Sequence, residues 1–190
     1  WALTTILCLS CPSLCFCGDL AILSEKTWDE FIPQGKEVDA IYGDFVLRND
    51  KIVIVIANPV PGRHANMTVK DVGGCVIDLT LRDRQSDQLS AYYPGGAGRF
   101  AYQLARVIAE GHVEVERGGA VNKTDRIELD AREAQVDAVH TKDRFVIRAP
   151  HVQLDCIAPG TADRPEVRLT YTLRDGSSAL DISTEFRNTS

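Results

Sequence analysis

The run "KIVIVIA", Lys51 to Ala57, constrains this chain more than any other stretch. From Ile52 to Ile56 every side chain is β-branched and apolar, at odd and even positions alike. A strand with one wet face alternates apolar and polar residues; a strand apolar on both faces must be covered on both. Upstream, Ile41, Phe45 and Leu47 fall on one strand face, with Tyr42, Asp44 and Val46 on the other. Asn49 and Asp50 lie between the two runs, and both residue types tolerate the left-handed backbone of a tight hairpin. Pro59, Pro61 and Gly62 end the second run. The expectation is a buried central hairpin, with a stacked layer of extended backbone on each side.

Further strands follow. "GGCVIDLTL" alternates, with Cys75, Ile77, Leu79 and Leu81 expected on one face and Val76, Asp78 and Thr80 on the other. The long loop "RDRQSDQLSAYYPGGAGR" comes next, and loops of that length in compact domains often carry function. "RFAYQLARVIAEGHVEVERGG" supports two readings. Phe100, Leu104, Val107 and Ile108 have helical spacing, whereas the alternating "HVEVE" favours a hairpin turning at "AEGH"; the strand reading is preferred. "RFVIRAP", "HVQLDCIA", "EVRLTYTL" and "ALDISTEF" are short strands, the last two joined by the hairpin signal Asp175 and Gly176. Only "SEKTWDEFI" reads as a helix, with Ser24 as its cap. The fold class expected is therefore all-β: an antiparallel β-sandwich with one short helix near the N-terminus.

Length and composition set the limits. At 190 residues, 44% hydrophobic and 25% charged, the chain suits one soluble domain with an adequate core. A net charge of −6 and no basic stripe argue against nucleic acid as a partner. "WALTTILCLSCPSLCFCG" is apolar and small-residue-rich, as in the remnant of an export leader. Residues 1–23 are read as that signal peptide or lipoprotein leader and 24–190 as the sandwich, cut short at its C-terminus. The compartment expected is then periplasmic, cell-surface or secreted, with a membrane met only through the leader or a lipid on Cys11. Cys8, Cys11, Cys15 and Cys17 have a metal-like spacing, but no second half of a zinc-ribbon pattern follows. Cys75 and Cys156 remain, either paired or buried as free thiols.

No catalytic set, metal-ligand set or cofactor motif is recognised. His64, Arg63 and Asn66 share the Pro/Gly loop "NPVPGRHANMT", which could offer an imidazole, a guanidinium and an amide to a polar ligand. In "YYPGGAGR", Tyr92 and Tyr93 could stack on the apolar face of a sugar beside Arg99. Asp78 is a carboxylate amid "VI" and "LT", buried either as part of a site or as a structural pair. The ligand surface expected is His64, Arg63, Asp78, Tyr92, Tyr93 and Arg99, with carbohydrate as its partner. The readings weighed are a non-catalytic module, a sugar-active enzyme using His64, Asp78 and Arg99, and an architectural domain.

"GKEVDAIYGDFVLRNDKIVIVIA" with "ANMTVKDVGGCVIDLT" resembles the N-terminal part of exported bacterial proteins of planctomycete type, some of which continue into PHP-type metallohydrolase domains. "EVRLTYTLRDGSSALDISTEFRNTS" resembles strand pairs of the galactose-mutarotase-like supersandwich, a fold of carbohydrate-active enzymes. The resemblance implies a sandwich, export and a downstream domain of the same polypeptide as partner. It implies no catalytic residue here, because the mutarotase His and Glu contexts and the H-x-H of the metallohydrolases are missing from the sequence.

Overall fold

The computed structural model describes residues 18–84, 86–94 and 100–188. Its strands are β1 (Gly18–Ile22), β2 (Phe45–Arg48), β3 (Ile52–Ile56), β4 (Val76–Leu81), β5 (Leu104–Arg117), β6 (Ala120–Asp130), β7 (Phe145–Ala149), β8 (His151–Ala158), β9 (Glu166–Arg174) and β10 (Asp181–Arg187). Two helices, α1 (Trp28–Phe31) and α2 (Ala131–His140), complete the described elements. All strand pairings are antiparallel, and the sheet runs β10-β9-β8-β5-β7-β1-β2-β3-β4, with β6 on the remaining edge of β5. The protein is all-β and sandwich-like, made by curling one sheet.

The curl has a local cause. β5 is one long strand that pairs first with β8 and then with β7. Pro150 interrupts that partner, and β5 bulges opposite it, its register shifting between Glu110 and Val113. Gly111 sits at φ 75°, where a Cβ would lie 3.4 Å from the Pro150 ring. A bulge beside a proline bends a strand sharply. Past the bend β8 leads to β9 and β10, while β7 leads to β1–β4, so the two wings face each other. The turn expected at "AEGH" is this bulge; the hairpin reversal comes later, at Gly118 and Gly119.

Between the wings lies the main core, which includes Leu20, Phe45, Ile54, Ile147, Leu154, Leu169 and Tyr171. A second cluster, including Phe31, Val53, Val55, Ile77 and Val146, covers the outer face of β1–β4. β3 is buried on both faces throughout, which accounts for the apolar run. The outer cover is not a second strand layer, however: α1 and irregular segments around Val38, Val69 and Ala91 provide it. Arg48 fastens α1 to the sheet, lying 3.7 Å above the Phe31 ring and pairing with Asp19 at 2.9 Å and Glu30 at 3.0 Å.

Gly18–Ile22 is a buried strand hydrogen-bonded between β2 and β7. Residues 1–17 lie outside the described residues. Several expectations need correction. Asn49 and Asp50 are not left-handed; instead the Asn49 side-chain oxygen accepts the Lys51 and Ile52 N–H groups, closing the turn. Ser24 is not the cap of α1, because Thr27 holds that position. Cys75 and Cys156 are both free and buried.

α2 was not expected. Its buried stripe is Ala131, Ala134, Gln135 and Ala138, while the larger Val136 and Val139 stand exposed. The conspicuous apolar residues thus mark the wrong face. The legible signal was the cap: Asp130 accepts the Arg132 N–H, and Glu133 follows three residues on.

Candidate functional site

A β-bulge decides what β4 presents. Val55 lies opposite Asp78 but Ile56 lies opposite Val76, so Ile77 is an extra residue. The strand changes phase there. Cys75 and Ile77 enter the outer cluster, whereas Leu79 and Leu81, expected on their face, turn toward the wing opposite. Asp78 and Thr80 face outward beneath the covering loops and are buried.

Leu79 and Leu81 help form an apolar groove of about 590 Å³ between the wings. Ile52 and Ile54 of β3, with Tyr92, build one wall, and Leu180 and Ile182 build the other. Leu79 is 46% and Leu81 43% exposed. Tyr92 lines the same groove, fixed by donation of its N–H to the Val76 carbonyl at 2.8 Å.

Tyr92 and Tyr93 do not form a joint platform. Neighbouring residues of an extended segment point to opposite sides. Tyr92 is 53% exposed at the groove, whereas Tyr93 packs on the outer cluster and donates its hydroxyl to the Lys70 carbonyl at 2.8 Å. Arg99 lies outside the described residues.

Arg63 serves as a structural strut. Its guanidinium is almost buried and pairs with the Asp44 carboxylate at 2.6 Å. It also donates to the Asp39 carbonyl at 2.9 Å and to the His64 carbonyl. Asp44 in turn accepts the Ile41 and Asn58 N–H groups, each at 2.8 Å. Burial pushes the Asp44 carboxyl up, and the Arg63 hydrogen bond and charge oppose that rise. His64, next in sequence, is exposed, and its Nδ1 accepts the Asp71 N–H at 3.0 Å. Adjacent residues therefore serve different surroundings: Arg63 and Asp78 both hydrogen-bond the Asp39 backbone, whereas His64 faces solvent.

Asp78 instead meets Asp87. Both residues are buried, and their carboxyls lie close enough to influence each other's protonation. Asp78 Oδ1 accepts the Asp39 N–H at 2.9 Å, and Asp87 Oδ1 accepts the Leu79 N–H at 2.8 Å. Oδ2 of each is buried without a hydrogen-bond partner. Two facing acceptors need a proton between them. Burial, chiefly, with the Asp87 charge contributing, pushes Asp78 up to about 8. Asp87 is also raised by burial. Burial thus favours a proton held by the pair, and the bonds from the Asp39 and Leu79 N–H groups tie the covering loops to β4. Neither carboxyl lines the groove.

Elsewhere, a broad polar depression beside the β5 bulge is lined by Asp19, His112, Glu114, Lys123, Asp125 and Arg148. Lys123 pairs with Glu114 at 2.7 Å, and Arg148 lies near Asp19 and Glu116. Among the described residues no three His, Cys, Asp or Glu side chains are grouped to hold a metal ion. No helix among them is long and apolar enough to cross a membrane.

No family model, curated protein or solved structure matches this chain. The functional reading therefore rests on the chain's own geometry.

Proposed function

We propose that this chain is a non-catalytic β-sandwich module that binds a ligand with an extended apolar face, in the groove between β4 and β10. The observation that carries the reading is the chemistry of the lining. Aliphatic side chains from both wings converge there, and among the described residues the lining includes besides Tyr92 only two polar residues, Ser178 and Thr80, whose hydroxyl is turned to the Ser86 N–H. Binding pockets are commonly apolar with few polar groups. General acid–base chemistry needs titratable groups within hydrogen-bond reach, and among the described residues the lining supplies only the Tyr92 phenol.

Carbohydrate is the second reading. The half-exposed Tyr92 ring at the groove favours it, since such a ring stacks on a pyranose. That Thr80 and Ser178 are the other polar residues of the lining among the described residues weighs toward an aliphatic or aromatic ligand.

A direct test titrates the protein with a fluorescent naphthalene sulfonate dye and, separately, with soluble hexose oligosaccharides. Saturable dye binding, abolished by Leu81→Asp and weakened several-fold by Tyr92→Ala, is expected. Oligosaccharide binding lost on Tyr92→Ala, without dye binding, would replace the first reading with the second. Turnover of a sugar substrate that disappears on His64→Ala would overturn the non-catalytic reading.

A further inference from the structure

A strand at a sheet edge keeps a row of free N–H and C=O groups that will accept another strand. Three strands of the described residues lie at edges: β4, β6 and β10. β4 is partly closed, because its Leu79 N–H goes to Asp87 and its Val76 carbonyl takes the Tyr92 N–H. β6 is exposed along nearly its whole length and carries Asn122, Lys123, Thr124, Asp125 and Arg126 in succession. Its apolar residues Ile127 and Leu129 pack on the core at one end, and the run before them is polar and exposed.

β10 differs. Leu180 and Ile182 pack on the core and line the groove. By the two-residue period, Thr184 and Phe186 share their face, and Asp181, Ser183, Glu185 and Arg187 take the other. Phe186 remains 55% exposed, touched edge-on by Phe100 at 5.8 Å between ring centroids.

The sequence of this strand, "DISTEFR", complements itself. Laid antiparallel to a second copy about Thr184, it sets Asp181 against Arg187, Ile182 against Phe186, and Thr184 against Thr184. Opposite charges and aromatic–β-branched pairs directly across a ladder are favourable, and like charges unfavourable. The neighbouring registers that keep the faces matched are penalised. Centring on Ser183 brings Asp181 against Glu185, and centring on Glu185 brings that carboxylate against itself. Charge and apolar pattern therefore select one register.

We propose that a second copy of this chain docks on β10, antiparallel about Thr184, so that the two sheets continue across a two-fold axis. Such an interface is self-complementary, as two-fold symmetry demands. In the single chain Asp181 pairs with Arg174, and Arg187 pairs with Glu185 and Glu166. These are exposed pairs of little individual worth, so exchanging them for cross-copy pairs is cheap. The inference goes beyond the ligand reading and does not depend on it.

Sedimentation equilibrium from about 1 µM to about 1 mM chain covers the range of weak self-association. A concentration-dependent dimer is expected. Arg187→Asp alone, or Asp181→Arg alone, should weaken it by roughly tenfold, since like charges then face each other. The double exchange Asp181→Arg with Arg187→Asp should restore it, with unchanged far-ultraviolet circular dichroism throughout. A chain monomeric at every concentration overturns the proposal. So does a dimer indifferent to Arg187→Asp, or one the double exchange fails to rescue.

Discussion

Tyr171 on β9 reaches across the sandwich and donates its hydroxyl to the Gly74 carbonyl at 2.5 Å. The ring is fully buried, so this bond joins the two wings inside the core. Gly74 adopts φ 76° just before β4, and a Cβ there would meet the Tyr102 ring at 3.0 Å. The turn that starts β4 is thus held by one tyrosine and closely packed against another.

Tyr171→Phe leaves the Gly74 carbonyl without that donor in a dry interior. The expected loss is about 1–3 kcal/mol, the usual cost of an unsatisfied buried polar group. Urea unfolding of the two proteins measures it. A difference under a few tenths would mean the hydroxyl does not bridge the wings.

Arg63 and His64 should separate sharply on substitution. Removing a buried ion-pair partner leaves the other charge uncompensated, at about 3–5 kcal/mol. Arg63→Ala should therefore lower the melting temperature severely or prevent folding, while exposed His64→Ala should change stability by no more than about 0.5 kcal/mol. Thermal melts read both. Equal effects would contradict the strut assigned to Arg63.

The Asp78–Asp87 pair gives stability a pH dependence of known sign. Asp78 is raised from 3.8 to about 8 in the folded protein. Between those values the folded state holds a proton that the unfolded state has released. The contribution of this pair therefore falls as pH rises from about 4 to about 8, and is fully present only below the unfolded value. Asp78→Asn mimics the protonated acid and can donate to Asp87. It should flatten that part of the profile and stabilise the protein at pH 8 by about 1–3 kcal/mol. Chemical denaturation at a series of pH values decides it; a profile unaltered by Asp78→Asn would rule out the shared proton.

Both buried cysteines should resist alkylation in the native protein. Burial pushes Cys75 up to about 12 and raises Cys156 well above its ordinary value, so neither supplies the reactive thiolate. Peptide mapping after iodoacetamide treatment should find Cys75 and Cys156 unmodified until urea unfolds the chain. Native modification of either would show that its surroundings open.

What the sequence could disclose follows from the range of each signal. Alternation along "EVRLTYTLRD" or "DISTEFR" is a local property of extended backbone, and those segments are β9 and β10. α2 was hidden because alanine and glutamine cover the core with little hydrophobic contrast. Asp78 was legible as a buried carboxylate, but its partner Asp87 lies in a loop whose course no periodicity describes. Arg63 looked available only because Asp44, its counter-charge, is distant in sequence.

By itself the sequence determined that Ile52–Ile56 is a strand shielded on both faces, since no other arrangement keeps five consecutive β-branched side chains from water. It also determined an all-β chain of short hairpins. Tertiary structure alone decided what covers that strand, and which leucines of β4 reach the groove. One inserted residue at the Ile77 bulge reverses every face that follows. Burial of alternate residues is written locally, but the phase of a strand and the partner of a charge are set only when distant segments meet.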